Sequence, residues 1–169
     1  TAATNYCAWI ESLPLVTDES QDAAQLHAAH RLRVREGRSC LLAAVAAGSA
    51  LLGDARPSDE SSSDDVSHAE WQETYQRTAA LPLGYYRHVE HGADLTDDLP
   101  PSIGDVGDDL ADVWRDLKNG LRAWQIGEHG GAAWYWHLHF GFHWATHALD
   151  ALGQLQGWLT EPEGHSSGG

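Results

Sequence analysis

The sequence predicts an all-α bundle of about four to five main helices with the last two antiparallel, and three observations predict it. Apolar residues recur at three- and four-residue intervals, most plainly at Val106, Leu110, Val113, Leu117, Leu121 and Trp124. No segment alternates apolar and polar residues as a half-buried strand does, and nothing repeats at a fixed period. The stretch from Trp134 to Asp150, W-Y-W-H-L-H-F-G-F-H-W-A-T-H-A-L-D, is aromatic around most of a helical circumference, the pattern of a helix enclosed by others.

With 169 residues, 42% hydrophobic content and eight tryptophans, the chain is expected to form a single domain over 1–169 with a sizeable core. A net charge of -15 with a single lysine, Lys118, repels phosphate backbones and anionic membranes, so neither nucleic acid nor a membrane is an expected partner. Cys7 and Cys40 show no C-x-x-C spacing; Cys40 lies in an apolar run that suits a buried free thiol, and a reducing cytoplasm is the expected compartment. Arg31, Arg33, Arg35 and Arg38 ahead of the apolar run 40–52 imitate a signal peptide. That run is too short to span a bilayer and reads as half of a buried helix.

Taken in order, Thr4 is the expected N-cap of a helix over 5–13 that puts Cys7 and Ile10 on one face and stops at Pro14. Residues 20–52 read as one long helix with Gly37 as its break or bend. The acidic, serine-rich segment 54–66 has no apolar period and reads as a mobile surface loop that adds little stability. Ser67 and Glu70 form an S-x-x-E capping box for a helix that carries Trp71 and Tyr75 at i, i+4 and ends before Pro82. Beyond Leu81 the period is lost, and Gly92, Pro100 and Pro101 indicate a short helical turn followed by extended loop. Helix resumes at Ser102, runs to Gln125 and is closed by Gly127, Gly130 and Gly131.

The last helix is expected over 132–159, with Trp134, Leu138, Phe142, Ala145, Leu149 and Leu152 as its core stripe. Trp136, Phe140, His143, His147 and Asp150 form a second stripe beside it. The short connection before it makes the last two helices antiparallel neighbours and sets Leu117 and Leu121 against its 134–142 half.

Two columns of polar residues carry the candidate chemistry. Asp105, Asp109, Asp112 and Asp116 stand at i, i+4, i+7 and i+11 beside the apolar stripe of their helix. Aspartates near a helix N-terminus are favoured by the helix dipole, so an exposed acidic face accounts for Asp105 and Asp109. Asp112 and Asp116 lie deeper, where aspartate is a poor helix former, and call for partners: Arg115, Lys118 or Arg122 locally, or histidines of the final helix. His139, His143 and His147 recur at i, i+4 and i+8, which brings successive rings to one face. His143 and His147 then donate to carboxylates in a satisfied network, or hold zinc, iron or manganese with Asp112 and Asp116, or act as general acid or base without a metal. His137 and His139 are expected on flanks that reach solvent, His27, His30, His88 and His91 at the surface, and the tryptophans in the core.

At these residues the chain resembles the bacterial proteins catalogued as domain of unknown function 5063. The likeness rests on D-D-L-A-D-V-W-R-D-L-K-N-G-L from Asp108 and on W-Y-W-H-L-H-F-G-F-H-W-A-T-H-A from Trp134. The positions it carries over are Asp109, Asp112, Arg115, Asp116 and Lys118 on one helix, and Trp134, Trp136, Phe140, His143, Trp144 and His147 on the other. The resemblance implies a small helical bundle and no reaction. The family pattern places an acidic residue where this chain has Gly141, which removes one candidate ligand.

Two function classes follow. In the first, Asp109, Asp112, Arg115, Asp116, Trp136, His143, Trp144 and His147 form a polar network in a binding or accessory module whose acidic surface meets a protein partner. In the second, Asp112, Asp116, His143 and His147 hold a divalent metal that binds a small ligand or activates water. No nucleophile motif, phosphate loop or H-E-x-x-H strengthens the case for an enzyme.

Overall fold

A computed structural model describes residues 1–15, 22–51, 65–88 and 102–161. Helix α1, Ala2–Glu11, is capped by Thr1, whose side chain accepts from the Thr4 amide at 3.2 Å. It starts nearly a turn before the expected cap at Thr4, whose hydroxyl instead pairs with that of Thr1. Tyr6, Cys7, Trp9 and Ile10 are all buried, and burial pushes the Cys7 thiol up to about 12.

Helix α2, Ala23–Ala50, begins at the Asp22 cap and runs through Gly37 without a break. The glycine marks a close approach instead: a β-carbon there would lie 2.1 Å from the indole of Trp9, whose N–H donates to the Arg33 carbonyl at 3.1 Å. Val34, Gly37, Leu41, Ala44 and Gly48 form the buried face of α2, while Cys40 is only partly covered, contrary to expectation. The segment 54–66 lies outside the described residues apart from Asp65 and Val66.

Helix α3, His68–Thr78, opens on the capping box that the sequence signals, with both the Ser67 and the Glu70 halves formed. Trp71 and Tyr75 stack along it with ring centroids 5.5 Å apart.

Two short strands correct the expectations of a helical turn after Leu81 and of a helix from Ser102. Strand β1, Tyr85–His88, pairs antiparallel with β2, Ser102–Asp105, in a register that puts Tyr85 opposite Asp105 and His88 opposite Ser102. Four residues give two periods of alternation at most, too few to stand out beside Gly and Pro. Asp105 ends β2 in an extended conformation and at once caps helix α4, Val106–Gln125, by accepting from the Gly107 amide at 2.9 Å.

Helix α4 lies at the centre, packed against α1, α3 and the C-terminal helices, with Leu110, Ala111 and Val113 fully buried. It ends in a Schellman turn: Gly127 takes φ +92°, its N–H reaches the Trp124 carbonyl at 3.1 Å, and Glu128 N–H reaches the Ala123 carbonyl at 3.0 Å.

The C-terminal helix is not the uniform α-helix expected. Helix α5, His129–His139, passes through a π-helical turn, Phe140–Trp144, into helix α6, Ala145–Thr160. The core stripe differs as well. Ala132, Trp136, Trp144, Ala148, Ala151 and Leu155 are buried, while Leu138, Phe142 and Leu149 of the expected stripe are exposed. Trp136 and Trp144 are eight apart, a spacing that drifts by roughly 80° around a regular α-helix; the wider π turn brings both onto the core side.

As expected, α4 and the C-terminal helix run antiparallel. Contacts pass from Trp136 with Leu117, through His143 with Asp116, to His147 with Asp109. Among the described residues no helix is long and apolar enough to cross a membrane.

Candidate metal centre

The acid column of α4 faces the imidazole column of α5 and α6, and all three of Asp109, Asp112 and Asp116 are buried. Burial of three carboxylates is tolerated only if each is richly hydrogen-bonded or paired. Asp109 takes the Tyr86 hydroxyl on Oδ2 at 2.7 Å and His147 Nδ1 on Oδ1 at 2.8 Å. Asp116 takes His143 Nδ1 on Oδ2 at 2.7 Å, and its Oδ1 lies 3.3 Å from His139 Nδ1 and 3.5 Å from the Tyr135 hydroxyl. Between them, Asp112 uses Oδ1 for the Trp71 indole N–H at 2.8 Å and for Arg115 Nη2 at 3.1 Å. Its other oxygen, Oδ2, stands 3.7 Å from His143 Nε2 and 3.7 Å from His147 Nε2.

This arrangement corrects several expectations. Asp109 is not part of an exposed acidic face but a buried acceptor, because α5 and α6 cover that side of α4. His139 is not a solvent-flank residue: its ring stacks on Tyr135 at 3.9 Å and its buried Nδ1 points at Asp116 without making a hydrogen bond. Of the local cations only Arg115 reaches the column; Lys118 goes to Glu11 of α1 at 2.7 Å and Arg122 to Glu70 of α3. Trp136 and Trp144 sit on the apolar side, their indole N–H groups donating to the carbonyls of Leu117 and Trp136. His88 meets Asp150 at 3.3 Å, His27 packs against Trp158, and His30 is half-buried; none is a free surface residue, and His91 lies outside the described residues.

Trp71, Tyr86, Tyr135 and His139 are the site residues that sequence reasoning missed. A signal existed for His139, the first member of the i, i+4, i+8 series. No local signal exists for Trp71 or Tyr86, which reach α4 from α3 and β1.

An ionised carboxylate only accepts, so Asp116 and Asp109 fix the Nδ1–H tautomer of His143 and His147 and leave Nε2 of each neutral ring with its lone pair. Burial tends to raise the Asp116 carboxyl, but the His139 and His143 rings outweigh it and hold the group below the usual carboxylate range. His147 is raised above the ordinary imidazole value, first by its hydrogen bond to Asp109, with Asp112 and Asp108 adding and burial opposing. Burial, then the hydrogen bond to Asp109, drives the Tyr86 hydroxyl far above its ordinary value.

A pH dependence of stability follows. Raised His147 stabilises the fold fully below its ordinary value of 6.5, and this is lost as pH climbs through the higher folded value. Depressed Asp116 stabilises above its ordinary 3.8, and this is lost as pH falls through the lower folded value. Between the ordinary values both contributions are present. Melting temperature is expected to decline from pH 6 to pH 8.5, with a shallower decline in His147→Gln; an unchanged slope in that variant would assign the effect elsewhere.

Fold and site together define a class: a helical bundle in which a carboxylate column on one helix meets a histidine column on its antiparallel neighbour. The chain belongs to the family described as Domain of unknown function (DUF5063), whose model matches residues 1–160. Protein BF1032 from Bacteroides fragilis, known from a crystal structure, is similar in fold, with a TM-score of 0.65 and 15% sequence identity over 95% of this chain and 91% of that one. No curated protein matches the chain.

Proposed function

We propose that the protein binds a divalent metal ion through Asp112 Oδ2, His143 Nε2 and His147 Nε2, with Asp116 and Asp109 as the carboxylates that orient the two imidazoles. One observation carries this reading: both rings are pinned at Nδ1 by a carboxylate, and both Nε2 atoms then converge on the same oxygen of Asp112 at 3.7 Å. Without protons or a cation between them, three lone-pair atoms within 4.8 Å of one another repel. Ligands sharing one zinc, iron or manganese ion stand about 3–3.5 Å apart, given bond lengths of about 2.0–2.2 Å, so a small contraction suffices. A carboxylate hydrogen-bonded to the far nitrogen of a ligating histidine is the usual outer support of such a site.

The alternative, a satisfied network in an accessory module, accounts for the Nδ1 contacts, and accounts for the Nε2 positions only where a ring is protonated and meets Asp112 as a cation. Two histidines and one carboxylate fill only part of a coordination sphere. The His143 and His147 side chains are 29% and 27% exposed, so water or a small ligand has access to the remaining positions.

Untagged protein is expected to carry at least one equivalent of zinc, iron or manganese by elemental analysis. Chelation should lower its melting temperature by several degrees, and Asp112→Asn should lose the metal held by this triad and show a smaller chelator response. Metal-free protein whose melting point ignores added zinc, iron(II) and manganese would return the site to the network reading.

A further inference from the structure

Beside the Asp112 triad lies a second set of donors that the metal reading above does not use. Asp116, His139 and His143 each bring one ligand atom within 4.8 Å of the others, as Asp112, His143 and His147 do. His139 Nδ1 is shielded from solvent, makes no hydrogen bond and stands 3.3 Å from Asp116 Oδ1, the spacing of two ligands on one tetrahedral cation and off-axis for a hydrogen bond. Its ring is held by stacking on Tyr135 at 3.9 Å, and the ring of Phe142 packs 5.0 Å away. When protonated the His139 ring is an ion-pair partner of Asp116, yet the contact misses hydrogen-bond geometry, and a shared cation would suit that spacing better.

The two sets share His143. Its Nε2 stands 3.7 Å from Asp112 Oδ2 of the first set, while its Nδ1 stands 2.7 Å from Asp116 Oδ2 of the second. The π turn Phe140–Trp144 contains His143. Wider turns of this kind are frequent at functional sites, and here the turn sets His143 between His139 and His147.

We propose that Asp116, His139 and His143 hold a second divalent cation, and that the His143 ring bridges the two cations through its two nitrogens. The proposal rests on the metal reading of the Asp112 triad. When only that first position is filled, Asp116 accepts the His143 Nδ1–H. Filling the second breaks this N–H bond, sends its proton to solvent and replaces it with an Nδ1–metal bond, so the ring becomes an imidazolate. No electron changes hands. The nitrogen-rich donor set favours zinc or copper over magnesium or calcium.

The test uses the full chain, stripped of metal and reloaded. With excess zinc followed by gel filtration, wild type should retain two equivalents, His139→Ala one, and Asp112→Asn fewer than two. Copper(II) gives a readout that does not depend on any variant folding. The first equivalent should yield a full electron paramagnetic resonance signal, and the second should diminish it, because two copper ions joined through an imidazolate couple antiferromagnetically. One zinc in both wild type and His139→Ala overturns the second position and leaves the Asp112 triad standing. Two coppers with doubled signal overturn the shared ring. No zinc at all overturns this proposal and the metal reading together.

Discussion

Asp116→Ala is expected to destabilise the protein by about 3–5 kcal/mol, the size expected when the shared acceptor of a buried hydrogen-bond network is removed and its donors stay behind. Asp116 is 2% exposed and receives His143 at 2.7 Å, with His139 and Tyr135 close by. Its loss strands two imidazoles inside the helix pair and removes the acceptor of the His143 Nδ1–H. For a domain of this size the melting temperature should fall by roughly 6–20 °C. Asp116→Asn keeps the shape and one acceptor oxygen, so it should lose clearly less. Equal losses in the two variants would mean that packing, and not the charged contacts, holds this part of the structure. A loss under 1 kcal/mol for Asp116→Ala would refute the polar centre as a structural element.

The difference between these positions and the acids nearer the N-terminus shows what the sequence could disclose. Asp112 and Asp116 were legible because aspartate in a helix interior needs a reason that local chemistry does not supply. Asp109 entered the network only through its place in the column and the family likeness, because one turn from a helix start the dipole is reason enough, and the covering helix is what shows that it is buried. The antiparallel pairing of α4 with the C-terminal helix was legible from the short Gly-rich turn. The choice of core stripe on that helix was not: periodicity assumes a constant twist, and the π turn at Phe140–Trp144 changes it midway. Thus Leu138, Phe142 and Leu149 were assigned inward and lie exposed. The β1–β2 pair escaped for a different reason, since its pairing joins residues on either side of a segment without any pattern.

Gly120→Ala is expected to destabilise by about 3 kcal/mol, against the sign that helix propensity alone predicts. Alanine in a helix interior is favoured over glycine by about 1 kcal/mol, and Gly120 lies well inside α4. Yet a β-carbon at this position would stand 2.1 Å from Trp136 Nε1 and 2.4 Å from Cε2, far inside contact distance, and an indole cannot fold away as a lysine would. Relief requires α5 to shift or Trp136 to leave, which breaks the indole hydrogen bond to the Leu117 carbonyl at 3.1 Å and loosens the backbone that receives the Trp144 indole. Overpacking of this kind costs about 1–3 kcal/mol and the buried hydrogen bond about 1 more, which together exceed the propensity gain. Gly153→Ala is the matching control. Nothing stands within 4 Å of its β-carbon position on α6, so it should stabilise by about 0.5–1 kcal/mol. The double variant Gly120→Ala with Trp136→Phe should cost less than the sum of the two single changes, because the smaller ring vacates the space that alanine needs. Strict additivity would show that the clash is relieved elsewhere, and a stabilised Gly120→Ala would show that α4 and α5 are not in the close contact described. Because His139 and His143 follow Trp136 on the same helical stretch, a shift of α5 should also weaken the proposed metal binding in Gly120→Ala and leave it unchanged in Gly153→Ala.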